Sequence, residues 1–297
     1  MKNILIYSNC AGNVLKTMFL NHDFTKNEFN VESFYNYENL HKNKLSNEHL
    51  LLLKKCDIFI YQPMNNSYNY SEYDIKYILT YLDKKCLIFR VNYYRFKGFW
   101  YNCNYIPYKN YNNYSFHELI NSNGMFDDLK NLKNIYNKND VVKFIDNIEI
   151  NKNKVVEFFL DELEKIKLLD QYSDVKMYDF FKQNYKNKLL FYECYHPTNI
   201  FFYEIFRQLV FIISNKVLLQ HDNIFLQKEN IKNVELTHWT VPILPIVKTY
   251  LELNLENIVP CFNTKIHEKK IYMDVYDNYY IRLSPQNFKK YLEELNL

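Results

Sequence analysis

The sequence predicts an α/β fold: a parallel sheet of about four to five strands flanked by helices, with a helical layer and a C-terminal extension. Three observations carry this reading. Over roughly the first ninety residues, short apolar runs alternate with helix-period patterns, as βαβ units do. The runs at 3–7 (NILIY), 56–61 (CDIFIY) and 86–91 (CLIFRV) are almost continuously apolar, as expected of strands covered on both faces. From Ser115 onward the pattern is mainly helical.

Taken in order, the strand at 3–7 leads into a helix whose apolar stripe is Ala11, Val14, Leu15, Met18 and Phe19, at i, i+3, i+4, i+7 and i+8. A weaker strand follows at 30–35. Ser46 is placed to cap a helix ending near Lys55, and Ser71 with Asp74 resembles a capping box opening a helix through Tyr81. Residues 92–114, rich in Asn and Tyr and holding Gly98 and Pro107, read as a long surface excursion. Ser115 and Glu118 form another capping box, and apolar periodicity runs through 141–148 and 155–169. Residues 189–195 read as a strand that stops at His196-Pro197-Thr198, where a largely apolar helix over 199–214 begins. Past residue 216 the patterns mix, and Ser284-Pro285 announces a last helix. The expected division is a domain over 1–215 and an extension over 216–297.

Composition narrows the function. With 37 Lys and Arg against 34 Asp and Glu, the net formal charge of +3 excludes a polybasic nucleic-acid binder. The 29 Tyr and 23 Phe are scattered through every segment and mark no single stacking face. Only 3 Gly are present, so each one is expected to hold a backbone position that a Cβ would spoil. Six cysteines show no CxxC pair and no zinc spacing, so no metal is expected. The N-terminal apolar run is too short for a signal-peptide core, and the apolar stretch at 200–219 carries Glu204, Arg207 and Lys216. A cytoplasmic protein without a transmembrane segment, its thiols reduced, is the expectation.

Three places carry candidate chemistry. Ser8-Asn9-Cys10-Ala11-Gly12-Asn13 joins the first strand to the first helix, at the sheet edge where open parallel sheets bind ligands. A thiol at Cys10 would sit in the partial positive charge of a helix N-terminus, and Gly12 would let backbone N–H groups face an oxyanion or phosphate. The bland alternative is a small buried Cys beside a tight turn. In Glu193-Cys194-Tyr195-His196-Pro197-Thr198, His196 is placed to act as general base with Glu193 orienting it, a spacing similar to the acid-x-x-His element of GDSL-type esterases. A capping His beside a solvated Glu is the alternative. Tyr61-Gln62-Pro63 ends the third strand on the same edge, and Gln62 offers an amide donor or is simply a polar strand end. The other seven histidines show no metal spacing.

SNCAG after the first strand, DIFIYQP at the third and HPT before a late helix, in that order, resemble the WcbI-type capsular polysaccharide biosynthesis family. Its members show an Asn-Cys-Gln/Ala-Gly-like motif, an aromatic-Gln-Pro step and a His-Pro-Ser/Thr motif. The likeness spans roughly residues 1–215. It implies coenzyme A binding and O-acetylation of capsule sugars, hence acyl transfer from acetyl-CoA to a sugar hydroxyl. On that resemblance Cys10, His196 and Glu193 are the expected catalytic residues, and Asn9, Ala11, Gly12 and Gln62 the oxyanion or substrate contacts. Ser8, Asn13, Arg90 and Lys97 are the expected contacts to coenzyme A. Acyl-CoA and a glycan acceptor are the implied partners, with peripheral association to polysaccharide assembly machinery. Cys194-Tyr195 departs from the family, which carries Asn or another polar residue near the His-Pro step, and the extension has no counterpart. Two rivals stand beside this reading. One is a GDSL-like carbohydrate esterase using water as acceptor. The other is a non-catalytic glycan- or nucleotide-binding module.

Overall fold

The computed structural model describes residues 1–36, 45–63, 74–101, 150–217, 243 and 245–255. The chain divides into two compact units. Unit 1 comprises Met1–Tyr94, Ile166–Phe181 and Pro197–Leu236, and unit 2 comprises Arg95–Lys165, Lys182–His196 and Thr237–Leu297.

Unit 1 is built on a four-stranded parallel sheet of β1 (Lys2–Ser8), β2 (Phe29–Tyr35), β3 (Ile58–Tyr61) and β4 (Leu87–Arg90), in the order β2-β1-β3-β4. Ile4 of β1 pairs with Val31 on one side and Ile58 on the other. The chain leaves β1 toward one edge and comes back to β3 on the other side, so the topological switch point lies between β1 and β3. The apolar continuity of β1 is accounted for by burial on both faces, since Ile4, Leu5, Ile6 and Tyr7 are all buried.

Helix α1 (Ala11–Asn21) buries Val14, Leu15, Met18 and Phe19 of the stripe that the periodicity predicts, with Ala11 half-buried at its start. Phe19 meets Phe206 of a later helix edge-on, with ring centroids 5.0 Å apart. The opposite face of the sheet carries α2 (Asn47–Lys55) and α3 (Ile75–Leu79), where Leu5, Tyr7, Phe34 and Phe59 pack with Leu53 and Ile78. Ser46 caps α2 as expected, its hydroxyl accepting from the His49 N–H at 3.1 Å. Asp74 caps α3 by accepting from the Lys76 N–H at 2.8 Å, and the helix stops at Leu79, before Tyr81. Ser71 lies outside the described residues.

Two expectations are corrected. Residues 94–100 are not a surface excursion: Tyr94, Phe96, Phe99 and Trp100 are buried. A non-repetitive segment can be buried only if its backbone finds partners. Here the Phe96 N–H donates to the Cys194 carbonyl at 2.9 Å and the Lys97 N–H to the Glu162 carboxylate at 3.0 Å. Within unit 2, Phe96, Phe99, Trp100, Phe159 and Phe191 form an aromatic cluster with centroids 4.9–6.0 Å apart. The second correction concerns 189–197. The single strand expected over 189–195 is a small hairpin, β5 (Phe191–Glu193) paired with β6 (His196–Pro197) across the two-residue link Cys194-Tyr195, and the expected helix then begins at Asn199.

The remaining helices are α4 (Lys152–Gln171), α5 (Tyr178–Asn184), α6 (Asn199–Val217) and α7 (Pro245–Leu251). The last turns of α4 hold the chain after β4. Asn92 Nδ2 donates to the Leu169 carbonyl at 2.5 Å, and the Tyr94 hydroxyl donates to Asp170 Oδ1 at 2.8 Å. Among the described residues no helix is long and apolar enough to cross a membrane. The elements expected at 115–148 and 284–297, together with Cys103 and Gly124, lie outside the described residues, as does most of 216–297.

Candidate functional site

At the C-terminal end of β1 the chain turns into α1 through Asn9 and Cys10 alone. Cys10 is the N-cap, already helical at φ −52° and ψ −24°, and its side chain makes no capping bond. Asn9 supplies that bond instead, with Oδ1 accepting from the Ala11 N–H at 3.0 Å and its carbonyl from the Gly12 N–H at 2.9 Å. This arrangement leaves the thiol free of capping duty at a half-buried position.

Gly12 is required by close approach. A Cβ built there would lie 2.4 Å from Ser8 Oγ and 3.2 Å from Ile6 Cγ2, so the first turn of α1 sits directly on β1. Ser8 is itself buried, its hydroxyl donating to the Asn9 carbonyl at 2.9 Å. Asn13 ties α1 to β2: Nδ2 donates to the Tyr35 hydroxyl at 2.5 Å and Oδ1 accepts from Ser33 Oγ at 3.0 Å. The side chains of Ser8 and Asn13, expected as coenzyme contacts, are both hydrogen-bonded within the fold.

Gln62 joins this turn from β3, as topology requires of residues flanking the switch point. Its N–H donates to the Tyr7 carbonyl at 2.8 Å, one step beyond the last β1–β3 pair. Its Oε1 accepts from the Asn9 N–H at 2.9 Å. Gln62 is buried, yet its Nε2 has no partner among the described residues. The Cys10 N–H is likewise without one. The Ala11 and Gly12 N–H groups expected to meet an oxyanion are already used by Asn9, so the donors without a partner at the turn, among the described residues, are Asn9 Nδ2, Gln62 Nε2 and the Cys10 N–H. A thiol and three donors at one strand-to-helix turn form a set suited to acyl transfer.

Arg90 ends β4 on the same sheet edge. Its Nε donates to Asn92 Oδ1 at 3.0 Å, its guanidinium carbon lies 5.7 Å from the Tyr172 ring centre, and its N–H donates to Asp174 Oδ2 at 2.6 Å. Asn92, Tyr172 and Asp174 were not singled out from the sequence. Asn92 alone carried a signal there, as a polar residue just past the fourth strand. Lys97 belongs to unit 2, where its ammonium lies 5.9 Å from the centre of the Tyr195 ring.

His196 and Glu193 are also in unit 2. They flank the two-residue link of the β5–β6 hairpin, and such a link sets its flanking positions opposite each other. His196 is half-buried, and Cys194, in the link, is buried with its carbonyl accepting from Phe96. Among the described residues no group of His, Cys, Asp and Glu could hold a metal ion.

Comparison with known proteins agrees with the motif order. No curated protein matches the chain. A solved structure of WcbI, described as a novel polysaccharide biosynthesis enzyme in native form without a disulfide bond between coenzyme A and one of its cysteines, shares the fold. Its TM-score is 0.64 at 14% identity, covering 99% of this chain and 94% of that one. The family model for the polysaccharide biosynthesis enzyme WcbI matches residues 3–213, which include the Cys10 turn, Gln62 and the His196 hairpin. The chain belongs to the WcbI polysaccharide biosynthesis enzyme family.

Proposed function

We propose that this enzyme transfers an acyl group, acetyl in the first instance, from acyl-CoA to a sugar hydroxyl during polysaccharide assembly, in a cytoplasmic setting. The observation that carries the proposal is the turn at the switch point, where the Cys10 thiol, the Cys10 N–H and Gln62 Nε2 are all without partners among the described residues. The naming of coenzyme A together with a cysteine in the solved WcbI structure supports the choice of donor.

In the proposed route His196 takes the Cys10 thiol proton as the sulfur attacks the thioester carbonyl, while Gln62 Nε2 and the Cys10 N–H hold the developing oxyanion. Collapse breaks the bond to the coenzyme sulfur, which leaves with a proton from His196. His196 then takes the proton of the sugar hydroxyl as that oxygen attacks the Cys10 thioester. The sugar ester and the free Cys10 thiolate result. Glu193 orients the imidazole, and Arg90 is the cation on this sheet edge for the phosphates of the donor.

Calorimetry with acetyl-CoA on the wild type, Cys10→Ala and His196→Ala, together with release of free coenzyme A in the presence of glycan acceptors, tests the reading. Micromolar binding by the wild type and transfer lost in both variants is the expected result. No binding by any of the three overturns it, and hydrolysis of an acylated sugar without coenzyme A would identify an esterase instead. Near-normal transfer by Cys10→Ala would overturn the covalent step.

A further inference from the structure

We propose that Cys56 and Cys86 form a paired-thiol oxidation site, which a peroxide-class oxidant converts to an intramolecular disulfide joining the start of β3 to the start of β4. The two sulfurs lie 3.7 Å apart, and both thiols are free. A modest side-chain adjustment brings them to a disulfide bond of about 2 Å. Cys56 is the C-cap of α2 just ahead of β3, and Cys86 directly precedes β4. The backbone already holds these strand starts together, because the Leu87 N–H donates to the Asp57 carbonyl at 2.9 Å.

The two thiols differ in access and in acidity. Cys56 is buried in the cluster under α2 and α3, whereas Cys86 is partly exposed, so an oxidant reaches Cys86 first. The hydrogen bond from Cys56 holds the Cys86 thiol below its ordinary range, against burial and the carboxylates of Asp57 and Asp83. The same bond, then burial, pushes Cys56 well above that range. Cys86, the more exposed of the two, is therefore the thiol that meets the oxidant, and Cys56 the resolving thiol.

The chemistry balances with hydrogen peroxide as oxidant. The Cys86 thiolate attacks one peroxide oxygen, the O–O bond breaks, and the departing hydroxide takes a proton to become water, leaving a sulfenic acid. Cys56 sulfur then attacks the Cys86 sulfur, and the displaced hydroxyl leaves with the Cys56 proton as a second water. Two thiols lose two hydrogens and two electrons, and peroxide accepts both. Because the pair sits at the strand starts while Cys10 sits past a strand end, this oxidation is independent of the acyl-transfer reading.

The experiment treats the full-length chain with hydrogen peroxide, blocks remaining thiols by alkylation and digests with trypsin. Lys55 and Lys85 directly precede the two cysteines, so each begins its own peptide, 56–76 and 86–90. The expected product is these two peptides joined, lighter by two hydrogens than their sum. Closing this loop should raise Tm by several degrees, reversed by dithiothreitol. Cys86→Ser should lose both effects and Cys10→Ala keep both. In Cys56→Ser the Cys86 sulfenic acid should persist and be trapped by dimedone more strongly than in the wild type. Oxidation of Cys86 to sulfinic acid with no joined pair, pairing chiefly with another cysteine, or a joined pair seen only after denaturation would each overturn the proposal.

Discussion

Gln62 illustrates how one side chain serves two tasks that substitution can separate. Its Oε1 satisfies the Asn9 N–H and fixes the turn that presents Cys10, while its Nε2 remains available as a donor. Gln62→Glu keeps an acceptor for Asn9 and removes the donor, so stability should stay near wild type while transfer falls by about 10²–10³-fold, the usual effect of losing one oxyanion donor. Gln62→Leu removes both, leaving the Asn9 N–H without its acceptor at a further cost of about 1–3 kcal/mol. Urea unfolding beside initial rates measures the two effects separately, and a fully active Gln62→Glu would remove Gln62 from the reaction. At this scale the sequence was informative about Cys10 and Gly12, because a strand feeding a helix through so short a link leaves few places for either. It did not show that Asn9 consumes the Ala11 and Gly12 N–H groups, since that depends on one side-chain torsion.

Among the elements, legibility followed length and continuity. The strands β1, β3 and β4 were readable because both faces are covered and the apolar runs are unbroken. The β5–β6 hairpin was not, since strands of three and two residues carry no period and Pro197 suggested a helix entry. The segment after β4 misled for another reason: Asn, Tyr and Gly signal a loop, yet distant side chains satisfy this loop's polar groups, and spacing along the chain does not reveal them. Tyr94 is one such case. Its hydroxyl donates to Asp170 Oδ1 at 2.8 Å, and Asp170 Oδ2 accepts from the Tyr178 N–H at 2.7 Å, so the end of α4, the start of α5 and the chain after β4 meet at one carboxylate. Burial first, and then the Asp170 charge, push the Tyr94 phenol well above its ordinary range. The folded state thus keeps a proton that the unfolded chain releases above about pH 10, and stability falls as pH rises beyond that point. Tyr94→Phe should cost about 1–3 kcal/mol near neutrality by leaving the carboxylate short of a donor. Its deficit should narrow in alkali, where the wild type alone has that proton to lose. Urea titrations at neutral and alkaline pH test this, and a gap that stays constant or widens would contradict it.

For the molecule as a whole, the sequence suggests a boundary near residue 215, and along the chain the two units alternate. The chain passes between them after Tyr94, Lys165, Phe181, His196 and Leu236, so neither unit is one continuous stretch. Unit 2 draws on the region beyond the boundary. Val247 and Leu251 of α7 are buried, the Lys186 ammonium pairs with Glu252 at 2.5 Å, and the Lys186 carbonyl accepts from the Asn254 N–H at 2.6 Å. The end of α7 is itself built with care. Leu253 N–H reaches back to the Lys248 carbonyl at 2.9 Å while Glu252 takes φ 54°, a left-handed position usually filled by glycine, in a chain with only 3 glycines. Removing everything after residue 215 would strip α7 and its contacts from the unit that holds His196. Such a truncated chain should therefore unfold in urea over a broader transition with a smaller m-value than its length alone explains, because part of unit 2 no longer folds cooperatively. A sharp single transition, with m scaled only to the shorter length and acetyl-CoA binding intact, would show instead that residues 1–215 fold as a self-sufficient domain.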